Sequence, residues 1–169
     1  QVIVPELDDL VRITRSSGTT GIPKLIPKTL RNEQFLFYTD PDRNGLNNLS
    51  KILILCPFII NYILVQCKFS IKLGSLVISS SNPSLAIEAH NITFISGLPV
   101  HIERLIDDIP KRSKKNNKII VEIFGASLSR NLIDKIQSKL NSSIINSLGA
   151  NEIDAILSME DHETGIVRP

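Results

Sequence analysis

The sequence predicts an α/β fold in which a mainly parallel sheet carries helices on both faces. From residue 51 onward, short runs rich in β-branched residues alternate with segments whose apolar residues recur every three or four positions. Helices of this length between consecutive strands are typical crossovers between parallel neighbours. Of the 169 residues, 42% are apolar and 21% charged, which is the balance of a globular domain with its own core.

The first part of the chain reads as two strands joined by a polar loop. Residues 10–16 form a strand that enters the loop, and residues 24–28 form the strand that leaves it. Thr29 is a suitable N-cap for a helix that continues to about residue 38. Residues 40–50 are rich in Asp, Asn, Gly and Pro and are predicted to be a loop.

The longest apolar run covers residues 52–67. It is shorter than the roughly 20 residues of a membrane-spanning helix, and Pro57 and Asn61 interrupt it. We therefore expect a buried strand at residues 52–55, a turn at Pro57 and a buried helix after it, rather than a membrane segment.

Further strands and helices alternate along the rest of the chain. Strands are predicted at residues 76–79, 93–96, 119–124 and 143–147. Helices are predicted at residues 83–89, 99–109 and 129–140. The apolar period turns one face of each of the two longer helices inward, which predicts the buried side chains Ile102, Leu105, Ile106, Ile109, Leu132, Ile133, Ile136 and Leu140.

Charge and cysteine content narrow the range of partners. The net charge is only +2, and the basic run at residues 111–118 has no interleaved aromatic residues for base stacking, so we expect a solvated loop and no nucleic-acid partner. The same low net charge predicts no membrane partner. Cys56 and Cys67 lie in apolar stretches, which favours buried free thiols in a reducing, cytoplasmic compartment, with a disulfide between them as the alternative. The first residues contain no signal peptide and no initiator Met, so we expect a piece of a longer protein.

The loop after the first strand has the chemistry of a phosphate-binding site. Hydroxyls, glycines and a lysine are concentrated in the sequence Arg-Ser-Ser-Gly-Thr-Thr-Gly-Ile-Pro-Lys at residues 15–24. Glycine allows successive backbone N–H groups to face one anion, and the lysine adds a mobile positive charge. The spacing differs from the Gly-Lys-Ser/Thr loop of other nucleotide-binding proteins, because Pro23 precedes Lys24. A polar hairpin turn is the alternative interpretation.

This loop closely resembles the phosphate loop of the adenylate-forming superfamily, whose members include acyl-CoA synthetases and peptide-synthetase adenylation domains. The continuation through Thr29 is similar to the aryl-acid–AMP ligase branch. The resemblance implies a site for ATP, with Lys24 as a catalytic residue. The loop residues that it assigns to nucleotide binding are Ser16, Ser17, Gly18, Thr19, Thr20, Gly21 and Lys24.

A second segment resembles the Pro-x-x-His-Asn-Tyr motif of the aryl-acid ligases. Asn61 and Tyr62 match it, and the resemblance implies that the Asn holds an aryl hydroxyl while the Tyr packs on the ring. Ile60 stands where the family has His, and Val65 and Gln66 stand where it has Ser, so a catechol or salicylate pocket is in question. The alternative for Asn61 is a satisfied polar group in a buried helix.

Two further segments resemble the parts of the family that hold the nucleotide. Gly125 and Ala126 match the segment that closes over adenine, where small residues let a flat ring approach the backbone. The residues after them include Ser129, which is also simply a good helix N-cap.

The segment Ser-Leu-Gly-Ala-Asn-Glu at residues 147–152 resembles the family's Tyr-Gly-x-Thr-Glu motif. The resemblance implies that Glu152 helps to hold Mg²⁺ on the phosphates, that Asn151 contacts the nucleotide and that Gly149 borders the substrate. Leu148 replaces the family's Tyr, and Asn151 replaces its Thr. An exposed surface carboxylate is the alternative for Glu152.

The resemblance implies one reaction and leaves one alternative. A complete enzyme would join a carboxylic acid to ATP, with Mg²⁺, and pass the acyl group to a carrier-protein pantetheine thiol or coenzyme A, as in siderophore or nonribosomal peptide biosynthesis. The family's ribose-binding Asp and its C-terminal catalytic Lys do not occur here, so the chain matches one subdomain that would need the rest of a parent protein. The alternative is a degenerate, non-catalytic module with a structural or docking role, and a generic nucleotide-binding domain is weaker because the loop is of another type.

Overall fold

The computed structural model describes residues 4–16, 21–35, 45–58, 60–110, 118–150, 155–161 and 167–168. The helices are α1 (Leu30–Phe35), α2 (Asn61–Lys72), α3 (Pro83–His90), α4 (Pro99–Asp108) and α5 (Arg130–Lys139). The strands are β1 (Leu10–Arg15), β2 (Leu25–Thr29), β3 (Lys51–Ile54), β4 (Leu76–Ile78), β5 (Phe94–Gly97), β6 (Ile119–Phe124), β7 (Ser142–Ala150), β8 (Ala155–Asp161) and β9 (Val167–Arg168).

The larger sheet has the strand order β4-β3-β5-β6-β7-β8-β9. The pairs from β4 through β7 are parallel, and β7–β8 and β8–β9 are antiparallel. The predicted mainly parallel sheet is therefore confirmed. The sequence did not predict its antiparallel extension by β8 and β9, and β7 continues to Ala150 where a strand ending at Ser147 was expected.

Helices cover both faces of the parallel strands, as predicted. The side chains of each strand alternate between two apolar clusters, so that Ile52 and Phe94 face one side while Leu53 and Ile95 face the other. Helix α2 packs on the first side, and α3, α4 and α5 pack on the second. All the inward residues predicted for α4 and α5 are buried.

The strands β1 and β2 form a separate antiparallel hairpin followed directly by α1. Thr29 caps α1 as predicted, because its Oγ1 accepts from the backbone N–H of Asn32 at 3.4 Å. Asn32 Oδ1 in turn accepts from the backbone N–H of Thr29 at 3.0 Å, which is a reciprocal cap. The predicted continuation of α1 past Phe35 lies outside the described residues.

The other predicted strands and helices have boundary shifts of about one residue. Of the loop predicted at residues 40–50, the part before residue 45 lies outside the described residues. Cys56 and Cys67 are buried free thiols, as expected. No helix in the described ranges is long and apolar enough to cross a membrane. The basic loop predicted at residues 111–118 lies outside the described residues except for Lys118.

The two clusters predict where a substitution destabilises the fold. Ile102 of α4 has 0% exposure, whereas Val100 on the same helix has 48%. We expect Ile102→Ala to lower the free energy of unfolding by about 2–5 kcal/mol, because it leaves a cavity in a closed core. Urea unfolding measures the loss, and Val100→Ala is the matched control, with a change of about 0.5 kcal/mol or less. Equal effects of the two substitutions would contradict the assigned core face.

Candidate functional site

The base of the predicted phosphate loop is closed by Ser16 and Lys24. The backbone N–H of Ser16 donates to the carbonyl of Lys24 at 3.0 Å, and the backbone N–H of Lys24 donates to Ser16 Oγ at 2.9 Å. Gly21 has φ +147°, with nothing near the position of a Cβ, and the Lys24 side chain is exposed. The described ends of the loop therefore come together and leave the lysine accessible to a ligand. Ser17, Gly18, Thr19 and Thr20 lie outside the described residues.

The topology brings the other predicted motifs to one edge of the sheet. The carboxyl ends of parallel strands meet at the same edge, which is where open α/β sheets bind ligands. Asn61 and Tyr62 follow the end of β3, and Gly125 and Ala126 follow the end of β6. Because Phe124 is paired with Ser147, the end of β7 that contains Gly149 extends past the end of β6 on the same side.

The backbone at Gly125 favours glycine. Its φ is +80°, and a Cβ at this position would lie 2.7 Å from Leu98 Cδ2. Gly125 and Ala126 are both exposed, so a flat ligand has access to the backbone there. Ser129, just beyond them, caps α5 by accepting from the backbone N–H of Leu132 at 3.3 Å. The turn between β6 and α5 thus contains both the small residues Gly125 and Ala126 and the N-cap Ser129.

Gly149 lies inside β7 rather than in a loop after it. It pairs with Ile156 of β8, beside a register shift between Leu148 and Gly149. Leu148, the residue in place of the family's Tyr, is 59% exposed. Asn151 and Glu152 belong to the β7–β8 connection, outside the described residues.

Asn61 is the first residue of α2, and its side chain is engaged by Arg12 of β1. Arg12 Nη1 donates to Asn61 Oδ1. The same guanidinium donates to Glu33 Oε1 through Nε, at 2.7 Å, and through Nη2. Lys68 of α2 donates to the other oxygen of Glu33. We call Arg12, Glu33, Asn61 and Lys68 the junction, because they join the hairpin and α1 to α2.

The junction controls the ionisation of Glu33. Burial would raise the pKa of Glu33, but the hydrogen bonds and charges of Lys68 and Arg12 outweigh burial, so this pKa lies below its ordinary value. Glu33 is 5% exposed, whereas the side chains of Arg12 and Lys68 are 18% and 38% exposed, so a buried carboxylate is neutralised by two cations that keep contact with water. An open groove of about 700 Å³ runs along the junction between Val11, Leu30 and Ile71.

Tyr62 contacts a second buried carboxylate that sequence reasoning missed. Its hydroxyl donates to Glu122 of β6, and its ring stacks on Phe124 with the centroids 4.3 Å apart. Glu122 has 0% exposure and also accepts from Gln66 Nε2 at 2.6 Å, Ser147 Oγ at 2.8 Å and Ser96 Oγ at 3.3 Å. One carboxylate thus links α2 with the three strands β5, β6 and β7.

Burial raises the pKa of Glu122, and the four donors oppose that rise only in part. The amide of Gln66 is oriented by the same contact, since its nitrogen donates to Glu122. Its oxygen is then buried, with no hydrogen-bond partner among the described residues. The otherwise apolar strand β6 therefore contains a buried, hydrogen-bonded carboxylate. The sequence signal for it is the single Glu within Ile119–Phe124.

Cys56 and His101 form a further polar pair at the carboxyl edge of the sheet. Their Sγ and Nδ1 atoms are 3.1 Å apart, and the backbone N–H of Leu98 donates to the sulfur at 3.3 Å. Burial raises the pKa of the Cys56 thiol despite that N–H. The pair joins the segment after β3 to α4.

The raised pKa of Glu122 yields a pH-dependent prediction. Tyr62→Phe removes a donor to the buried carboxylate and should cost about 1.5–3 kcal/mol of stability where Glu122 is ionised. The pKa of this carboxyl is higher in the folded state than in the unfolded state. Stability therefore increases as the pH falls from above the folded pKa to the unfolded pKa, because the folded state takes up a proton first. The cost of Tyr62→Phe should therefore be largest near pH 8.5 and smaller near pH 5.

Urea unfolding at both pH values tests this dependence. The control is Ser138→Ala, which removes an exposed hydroxyl that donates to the carbonyl of Lys135 at 2.7 Å. We expect a small, pH-independent effect for this control. A cost of Tyr62→Phe that grows toward acid would show that Glu122 does not titrate as its surroundings require.

In the described ranges, no three His, Cys, Asp or Glu side chains are grouped closely enough to hold a metal ion. Mg²⁺ in nucleotide sites needs only one or two protein carboxylates, because phosphates and waters complete its shell. The predicted ligand Glu152 follows the end of β7, next to the strand end that carries Gly125. Glu152 itself lies outside the described residues, and its assignment to Mg²⁺ stays a prediction.

Comparisons with known proteins agree with this architecture. The family model of the AMP-binding enzymes matches residues 1–167. O-succinylbenzoate coenzyme A synthetase (MenE) from Bacillus subtilis, in complex with ATP and magnesium ion, has a similar fold with a TM-score of 0.79 at 21% identity, over 94% of this chain and 34% of its own. The N-terminal subdomain of Klebsiella oxytoca NpsA, in complex with 3-hydroxyanthranilyl-AMSN, matches with a TM-score of 0.73 at 19% identity, over 95% of this chain and 42% of its own.

VinN in complex with L-aspartate matches with a TM-score of 0.78 at 16% identity, over 95% of this chain and 42% of its own. No curated protein matches the chain. The chain thus spans well under half the length of each of these three solved structures. With a family model that covers nearly its whole length and a sheet of the same fold, the chain belongs to the family of AMP-binding enzymes.

Proposed function

We propose that this chain is the nucleotide-binding central subdomain of a ligase that activates a carboxylic acid as its acyl-adenylate. A carboxylate oxygen attacks the α-phosphorus of ATP, the bond to the β-phosphate breaks, and pyrophosphate leaves. The acyl group then passes to a thiol of coenzyme A or of a carrier protein. The observation that carries the proposal is the phosphate loop, whose base is closed by the Ser16–Lys24 pair beneath an exposed lysine.

The loop suits the charge that develops on the leaving pyrophosphate. Lys24 follows a turn that starts at Gly21, and its ammonium group is exposed rather than buried in the hairpin. A mobile cation and fixed N–H donors stabilise a polyphosphate most when charge accumulates on it. We assign these donors to residues 16–21 and the cation to Lys24.

The nucleotide and the acid meet at the carboxyl edge of the sheet. Adenine would lie against the backbone of Gly125 and Ala126, because that turn is exposed and has only small side chains. The acid would lie between Asn61, Tyr62 and Gly149, and its nearest class is the aryl acids. Asn151 and Glu152, just beyond β7, would complete the site on the phosphate side, with Glu152 as the ligand of Mg²⁺. When bound there, Mg²⁺ neutralises charge on the triphosphate.

A structural or docking module is the second candidate function. Two of the proposed acid-binding residues are already engaged inside the fold, Asn61 by Arg12 and Tyr62 by Glu122. Leu148 in place of a Tyr exposes an apolar side chain where the family has an aromatic one. These contacts favour a module that keeps the fold without the reaction.

Pyrophosphate exchange in the complete natural protein separates the two candidates. The assay offers ATP, Mg²⁺ and one carboxylate at a time, among them benzoate, salicylate and 2,3-dihydroxybenzoate. We expect Lys24→Ala to lower exchange by about tenfold to a hundredfold, since a charged hydrogen bond contributes about 1.5–3 kcal/mol. Lys135→Ala is the matched control, because Lys135 lies on α5 in an exposed ion pair with Glu103, and it should leave exchange unchanged.

Glu152→Ala in the same assay tests the phosphate side of the site. Exchange should fall, and the concentration of Mg²⁺ needed for half-maximal exchange should rise, because the variant lacks one oxygen ligand. If no carboxylate supports exchange and calorimetry detects no nucleotide binding, the enzyme proposal fails and the structural module stands.

A further inference from the structure

We propose that Cys56 and His101 form a binding site for Zn²⁺, with the sulfur of the thiolate and Nδ1 of the imidazole as its two protein ligands. The pair connects the segment after β3 to the first turn of α4. The two residues are 45 positions apart, so no ligand spacing in the sequence indicates the site. It is separate from the Mg²⁺ proposed at Glu152, because thiolate and imidazole suit Zn²⁺ whereas Mg²⁺ takes oxygen ligands.

The two donor atoms are close to the separation that a tetrahedral zinc site needs. Sγ of Cys56 and Nδ1 of His101 are 3.1 Å apart. A Zn–S distance of about 2.3 Å and a Zn–N distance of about 2.0–2.1 Å, at a tetrahedral angle, place the sulfur and the nitrogen about 3.5 Å apart. A small rotation of the imidazole therefore brings both atoms onto one cation. The neutral ring with its proton on Nε2 presents the lone pair of Nδ1.

The surroundings of the sulfur support the negative charge that it has as a metal ligand. The backbone N–H of Leu98 donates to Sγ of Cys56 at 3.3 Å, and Leu98 is the N-cap of α4. A hydrogen bond to a ligand atom orients that ligand, and the start of a helix favours negative charge. On binding, the S–H bond breaks, the sulfur bonds to Zn²⁺ and the proton passes to water.

The site lies just below the protein surface. Cys56 is 5% exposed, but Phe58 is 50% exposed and His101 is half-buried, so a cation reaches the sulfur from the side of the imidazole. Structural zinc sites have four protein ligands and catalytic sites have three. This pair supplies two, and water completes the shell. We therefore expect reversible binding that is weaker than in a structural zinc site.

The second thiol of the chain provides a matched comparison. Cys67 is 7% exposed, so it is buried to nearly the same degree as Cys56. Among the described residues, however, no histidine nitrogen contacts its sulfur. A lone buried thiol offers a cation one ligand only. His90, at the end of α3, is an exposed histidine and serves in the same way as the comparison for His101.

Metal titration of the complete natural protein, reduced and stripped of metal, tests the site. The variants are Cys56→Ala and His101→Gln, and their controls are Cys67→Ala and His90→Gln. Calorimetry measures the affinity for Zn²⁺. Co²⁺ is the spectroscopic probe, because a thiolate ligand gives it a sulfur-to-metal charge-transfer band. The midpoint of thermal unfolding is measured for each protein with and without Zn²⁺.

We expect Cys56→Ala and His101→Gln each to lower the affinity for Zn²⁺ at this site by about tenfold or more, because each removes one of two ligands. The charge-transfer band of Co²⁺ should disappear in Cys56→Ala and persist in Cys67→Ala. Zn²⁺ should raise the unfolding midpoint of the wild type and of both controls, since it binds the folded state, and should raise it less in the two variants. An excess of Mg²⁺ should not displace Zn²⁺.

Either of two results would overturn the proposal. One is a wild type that binds no Zn²⁺ in calorimetry. The other is equal affinity for Zn²⁺ in the wild type and in His101→Gln, which would place the cation elsewhere in the protein. If Cys56→Ala does not fold, His101→Gln alone decides, because this half-buried side chain contributes less to the core. None of these readouts depends on pyrophosphate exchange, so the proposed function and this site are tested separately.

Discussion

The parallel pairing of the central strands is the constraint on which the candidate site depends. Parallel strands place all their carboxyl ends at one edge, and the register of β6 against β7 carries the end of β7 past the end of β6. Segments far apart in the chain, at residues 61–62, 125–126 and 147–150, thereby follow or lie at strand ends on the same edge of the sheet. Without that pairing, the motifs would be unrelated short matches.

Two buried carboxylates connect this edge to its surroundings, and they do so in opposite electrostatic ways. Glu33 is neutralised by two cations, which hold its pKa down although burial alone would raise it. Glu122 is surrounded by hydroxyl and amide donors, and its pKa is raised. The first joins the β1–β2 hairpin and α1 to α2, and the second joins α2 to three strands of the sheet. Helix α2 is therefore fixed on two sides by polar contacts as well as by its apolar face.

The sequence predicts the parts of the fold that depend on local patterns. The periods of apolar residues identify α4, α5 and the central strands, and Thr29 and Ser129 act as the caps that their residue types favour. The antiparallel strands β8 and β9 were missed because their pairing depends on β7 continuing past the parallel region.

The contacts of Arg12 with Asn61 and of Tyr62 with Glu122 join residues 49 and 60 positions apart, so no local pattern reveals them. Glu122 is different, since a lone carboxylate within an apolar strand is visible in the sequence.

The backbone at Gly125 limits how this site can be altered by evolution or in the laboratory. A larger residue there is strained by the left-handed backbone, and the end of the Leu98 side chain must also move to make room for it. Substitutions at residue 125 are therefore disfavoured. The exposed neighbour Ala126 does not have this backbone restriction. A randomised library for new ligands should therefore keep residue 125 constant and vary residue 126. In natural evolution, too, substitutions should be more frequent at residue 126 than at residue 125.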